Sequence, residues 1–184
     1  MKVRRQYIRT LTKNLLAEHE ITKPFVRPEK IIHALKDKGM DVHIKEAKVE
    51  DRLSGFLLRE QGKPTVIGIN AGQHVYRQRF TMAHELGHLL LHPGQDLYVD
   101  DQIFRVNLRD PQSSSGENTE EVEANLFAAE LLMPVDFIVQ DLLKHDNLDL
   151  LDDESTEKVI HDLAARYCVS RQALNHRLSY LHYL

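Results

Sequence analysis

The sequence has no tryptophan and a single cysteine, Cys168, in 184 residues. One thiol excludes an intramolecular disulfide and any zinc cluster built from several cysteines, and it fits a reducing compartment. No apolar run approaches the roughly 18 residues that would cross a bilayer, so no membrane association is expected. A basic excess is also missing. The 24 Lys+Arg stand against 28 Asp+Glu, a net charge of -4, whereas a domain that grips phosphates carries a clear positive surplus. Direct nucleic-acid binding is therefore not the expected activity, and the expected location is cytoplasmic. What is present is a soluble composition, 42% hydrophobic with a mean hydropathy of -0.42, of a length that suits one domain. One residue type is in excess. There are 11 histidines, and a metal site is one reason a chain carries so many.

Residues 1–20 place Ile8, Leu11 and Leu15 on one helical face, with Lys2, Arg4, Arg5, Arg9 and Lys13 around it. The segment lacks the continuous apolar stretch of a secretory signal and contains Glu18 and Glu20, so it reads as a first helix with a solvated charged face. Pro28 opens a second helix and Gly39 closes it. From Asp41 the apolar period shortens to two. Residues 41–44, 54–58 and 64–70 predict three strands of a small antiparallel sheet, joined by hairpin loops such as 60–63. A long helical pattern over 74–92 stops at Pro93-Gly94. Residues 96–123 are polar and acidic and read as a surface loop, either one that gates a neighbouring cleft or an inert one. Helices are then expected from Thr119 to Met133, over 135–144 and 155–166, and from Ser170, a suitable N-cap, to 181. The expected organisation is one domain over 1–184, with a core at 1–145 and a C-terminal helical subregion at 146–184.

The chemistry is concentrated in Phe80-Thr81-Met82-Ala83-His84-Glu85-Leu86-Gly87-His88. His84 and His88 are one helical turn apart on the same face and can aim two imidazoles at one ion. Glu85 projects about 100° round the helix from His84, outside the ligand set but close to where a metal-activated water would sit. This is the H-E-x-x-H pattern of zinc hydrolases, with Glu85 as the catalytic base. A catalytic zinc takes three protein ligands and keeps one position open, so one zinc per chain and a third ligand are expected. A histidine six residues beyond His88 would supply it, but that position is Gly94. Three glutamates remain on the following helix, Glu120, Glu121 and Glu123. Glu121 is preferred because Ala124, three residues on, puts a small side chain on its face and lets the two helices approach. Glu120 and Glu123 read as solvated. His92 continues the histidine stripe about 6 Å further along the axis, too far to share the ion. A supporting role behind the ligands is expected for His92, and also for Asn125. The other eight histidines carry no functional signal.

With Arg77 to His88 followed by Glu121-x-x-Ala124-Asn125-x-Phe127-Ala128-Ala129-Glu130-Leu131-Leu132-Met133-Pro134, the sequence resembles the ImmA/IrrE family of zinc metallopeptidases. The resemblance implies that His84, His88 and Glu121 bind zinc and that Glu85 is the catalytic base. It also implies an α+β, zincin-like fold in which a small sheet packs against the active-site helix, with additional C-terminal helices. An edge strand of that sheet would hold an extended peptide, and residues 66–70 are the expected edge, with Ile69 and Asn70 as substrate-binding residues. Members of the family typically cleave a repressor carrying a helix-turn-helix domain, which relieves repression. The expected partner is a separately encoded repressor.

Two other functions compete. Residues 163–178 have the cadence of a helix-turn-helix, with Arg171, Gln172, Asn175 and Arg177 on the second helix, which would make the chain a DNA-binding regulator. The acidic neighbours Asp149, Asp152, Asp153 and Glu154 oppose that reading by repelling phosphates. A non-cleaving adaptor that only binds the repressor is the third possibility, and the intact Glu85 argues against it.

Overall fold

The computed structural model describes residues 2–94, 97–100, 116–144 and 153–183. In chain order the described elements are α1 (Arg5–Glu18), α2 (Pro28–Asp37), β1 (Val42–Ala47), β2 (Gly55–Leu58), β3 (Thr65–Asn70), α3 (Val75–Leu91), β4 (Leu97–Asp100), α4 (Gly116–Leu132), α5 (Val135–Leu142), α6 (Asp153–Tyr167) and α7 (Arg171–Tyr180). The class is α+β. Among the described residues no helix is long and apolar enough to cross a membrane.

The sheet corrects two expectations. Its strand order is β1-β3-β2-β4, and β1 runs parallel to β3, so the sheet is mixed rather than antiparallel. The alternation of side chains marks each strand but not its neighbour. The hairpin between β2 and β3 forms as expected, with Leu57 opposite Ile67. The chain leaving β1 passes over the end of the sheet and returns beyond β3, which leaves β3 between two partners. Residues 66–70 are therefore interior and are not the edge. The fourth strand, β4, pairs antiparallel with β2, Gly55 opposite Asp100, in a stretch expected to be loop. Its apolar trio Leu97-Tyr98-Val99 between two aspartates is too short to show a period. Of the rest of the expected loop, residues 116–123 belong to α4 and correct that reading, whereas residues 96 and 101–115, like the proposed boundary at 145–146, lie outside the described residues.

Leu57, Ile67 and Ile69 turn one face of the sheet into the core, where α3 lies against β2 and β3. On the opposite face Phe56 lies over Gly68, where any side chain would collide with its ring. The other side of α3 is covered by α4, and α1 packs on α4 in turn. At the crossing of α3 and α4, a Cβ on Gly87 would sit 3.2 Å from the Ala124 backbone and 3.1 Å from the Phe127 ring, so glycine and alanine together set the closeness of the two helices. Ala124 was legible as the small residue at this contact, whereas its partner Gly87 was not.

The C-terminal helices are tied into this core by buried arginines. Arg79 of α3 donates to the carbonyls of Tyr167, the last residue of α6, and of Cys168 just after it, and to Val26 O. Arg177 of α7 is 1% exposed, pairs with Glu130 of α4 at 2.7 Å and donates to Met133 O. A side chain committed in this way has no reach toward a DNA groove.

Candidate metal centre

Nearly all of α3 from Thr81 to Leu89 is buried, because the helix is covered by sheet on one side and α4 on the other. His84 and His88 are thus held in the interior. Their Nε2 atoms lie 3.0 Å apart. Glu121 of α4 completes a triangle, with Oε2 at 3.2 Å from His84 Nε2 and Oε1 at 3.1 Å from His88 Nε2. Glu121 is 36% exposed at its side chain, so the triangle is closed behind by protein and open on the glutamate side.

Burial drives the pKa of His88 down to about 4, outweighing the nearby carboxylate. At neutral pH its ring is uncharged and has a lone pair to give. Burial alone would push the Glu121 carboxyl up, but its contacts with the His84 and His88 rings outweigh burial and hold the group well below the usual carboxylate range. Two imidazoles and a carboxylate form the donor set of a catalytic zinc site. Ligand atoms about 2.0–2.1 Å from a tetrahedral ion lie about 3.3 Å from one another. The spacings of 3.0 to 3.2 Å fit that arrangement with little movement.

The remaining predicted residues fall in different places. Glu85 is fully buried on α3, on the side that meets β2, and a Cβ on Gly55 would come within 3.3 Å of its Oε1. Ile69 is a core residue of β3. Asn70 is buried and spends its side chain on the loop after β1, donating to Val49, Glu50 and Leu53 carbonyls and accepting from Gly72 N. An assignment of these two residues to substrate rested on β3 being an edge, and that support is gone. Asn125 donates to Glu121 O one turn back and so braces the helix turn that carries Glu121. His92 touches the second nitrogen of His88, Nδ1 to Nδ1, at 3.1 Å.

Glu123 departs from expectation. It is buried rather than solvated, accepting from His92 Nε2 at 3.1 Å and from Arg4, whose guanidinium and backbone N both reach it. A partner 119 residues away leaves no local pattern to read. Arg59 was missed for the same reason. It donates to the carbonyls of His88, Leu89 and His92, satisfying the C-terminal end of α3.

A family model described as the IrrE N-terminal-like domain matches residues 35–179, a span that contains His84, Glu85, His88 and Glu121. The chain belongs to the ImmA/IrrE family. Its fold is similar to that of a solved Mycobacterium tuberculosis transcriptional regulator, with a TM-score of 0.59 at 17% sequence identity. The similarity covers 95% of this chain and 46% of the regulator, so the chain spans under half the length of that relative. No curated protein is significantly similar to it in sequence.

Proposed function

We propose that this ImmA/IrrE family member is a cytoplasmic zinc endopeptidase of zincin-like fold that cleaves a separately encoded helix-turn-helix repressor and so relieves transcriptional repression. The observation that carries the reading is the convergence of His84, His88 and Glu121 within 4.8 Å of one another, with Glu85 next to the first of them. A zinc ion held there supplies Lewis acidity, making a water easier to deprotonate and a carbonyl easier to attack. His84 and His88 each contribute Nε2, and Glu121 contributes a carboxylate oxygen. Glu85 takes the proton from the attacking water at a carboxylate oxygen as the new C–O bond forms. It then delivers that proton to the amide nitrogen as the C–N bond breaks. Burial of Glu85 keeps bulk water from competing for the proton. The substrate strand lies along β4, which among the described residues has β2 as its one strand neighbour and leaves its outer edge for main-chain pairing. The similarity to a transcriptional regulator supports a regulatory setting for the activity.

The test is to incubate the zinc-loaded chain with a helix-turn-helix repressor encoded beside it. Two fragments meeting at one new terminus are expected. An intact repressor that co-elutes with the chain would make it an adaptor instead.

A further inference from the structure

Behind the ligand triangle runs a second line of polar groups: His92, Glu123 and Arg4. We propose that these three are positioning residues which fix the ring orientation and proton location of His88 as a metal ligand. The inference rests on the zinc reading above. A neutral imidazole carries one proton on one of its two nitrogens. His88 turns Nε2 toward His84 and Glu121 and turns Nδ1 toward His92 Nδ1 at 3.1 Å. With the Nε2 lone pair committed to the ion, the ring proton of His88 resides on Nδ1 and is donated. His92 Nδ1 must then accept, which puts the proton of His92 on Nε2. That nitrogen faces Glu123 Oε2 at 3.1 Å, and a carboxylate there accepts it.

The far end of the line is fixed as strongly as the near end. Glu123 accepts from Arg4 N at 2.7 Å, from Nε at 3.0 Å and from the terminal guanidinium nitrogen at 2.5 Å. The same guanidinium donates to Leu91 O at the end of α3. A guanidinium never accepts a hydrogen bond, so it locks Glu123 as the acceptor. Every hydrogen bond from His88 to Arg4 therefore has one permitted direction, and the directions agree. The positive charge of Arg4 balances the carboxylate of Glu123 at the end of the line. This is the carboxylate–histidine–metal arrangement lengthened by one imidazole, and outer partners of that kind contribute about 10- to 100-fold to metal affinity. Arg4 precedes the segment that the family model matches, so the N-terminal residues of this chain act on the metal centre.

The deciding experiment is a long-range proton–nitrogen correlation spectrum of the zinc-loaded full chain, with zinc content measured on the same sample. His88 protonated on Nδ1 and His92 protonated on Nε2 are expected. A His92 protonated on Nδ1, or on both nitrogens, would overturn the proposal. A chain that takes up no zinc would instead sink the zinc reading itself. As a second arm, Glu123→Gln keeps the shape and one acceptor oxygen but removes the charge. By chelator competition its zinc affinity is expected to fall about 10- to 100-fold, with an altered cobalt(II) visible spectrum. Wild-type affinity and an unchanged spectrum in a folded Glu123→Gln protein would contradict the relay, and the wild-type nitrogen spectrum decides the matter if that variant fails to fold.

Discussion

Three glutamates within four residues have three different fates. Glu121 meets His84 and His88, Glu123 meets His92 and Arg4, and Glu120 stays partly exposed. The choice of Glu121 was legible because Ala124 marks the close face of the helix. The burial of Glu123 was not, because its determinant is an arginine at the other end of the chain. We expect Glu121→Ala to lose stoichiometric zinc after gel filtration and Glu120→Ala to retain it, as measured by atomic emission. Retention by Glu121→Ala would remove the carboxylate from the ligand set. The histidine pair and Glu85 were legible for a simpler reason: spacing along one helix fixes which side chains share a face, whatever the helix packs against.

Elements were legible where their period was long, and their partners were not. The helical pattern of α3 survives as Val75–Leu91, and its stop at Pro93-Gly94 holds. Strand pairing depends on where the chain returns, which no local alternation records, hence the unforeseen parallel contact of β1 with β3. Close approach leaves the same blind spot. A Cβ on Gly55 would lie 2.8 Å from Gly68 O, a backbone atom that cannot swing away. Gly55→Ala is expected to cost about 1–3 kcal/mol in urea unfolding, the usual range for overpacking. An unchanged midpoint would show that β2 has slack beside Glu85. The helix-turn-helix cadence of α6 and α7 was real as sequence, but its Arg177 is spent on Glu130. Arg177→Met should destabilise the fold by about 3–5 kcal/mol, because Glu130 would stay buried with only the 3.4 Å contact from Arg9. Adding Glu130→Leu should recover most of the loss. Equal effects of the single and double variants would mean that the pair is not coupled.

The whole molecule is held together by charges drawn inward from distant segments, and this makes its stability depend on pH. Asp141 of α5 is buried and accepts from Lys144, from Arg166 and from the Tyr167 hydroxyl of α6. Burial would raise its pKa, but those three hydrogen bonds outweigh it and hold the carboxyl below its ordinary value of 3.8. A group depressed in the folded state contributes stability that is fully present above its unfolded pKa and is lost as pH falls through the folded one. Acid unfolding should therefore steepen below about pH 4, and Asp141→Asn should flatten that limb while lowering stability at pH 7. An acid limb unaffected by Asp141→Asn would place the sensitivity elsewhere.

The same inward pull leaves His84, Glu85 and His88 in the interior between sheet and helix, with Glu121 closing the set from α4. The central claim is that this site is a zinc centre at which Glu85 moves the proton. It is tested most directly by preparing wild-type and Glu85→Gln chains side by side, measuring zinc content and rate of repressor cleavage on the same samples. One zinc per chain is expected in both, with the cleavage rate of Glu85→Gln lower by at least about 10²-fold, the smaller end of what a positioned general base contributes. Cleavage at the wild-type rate by a zinc-loaded Glu85→Gln chain would contradict it.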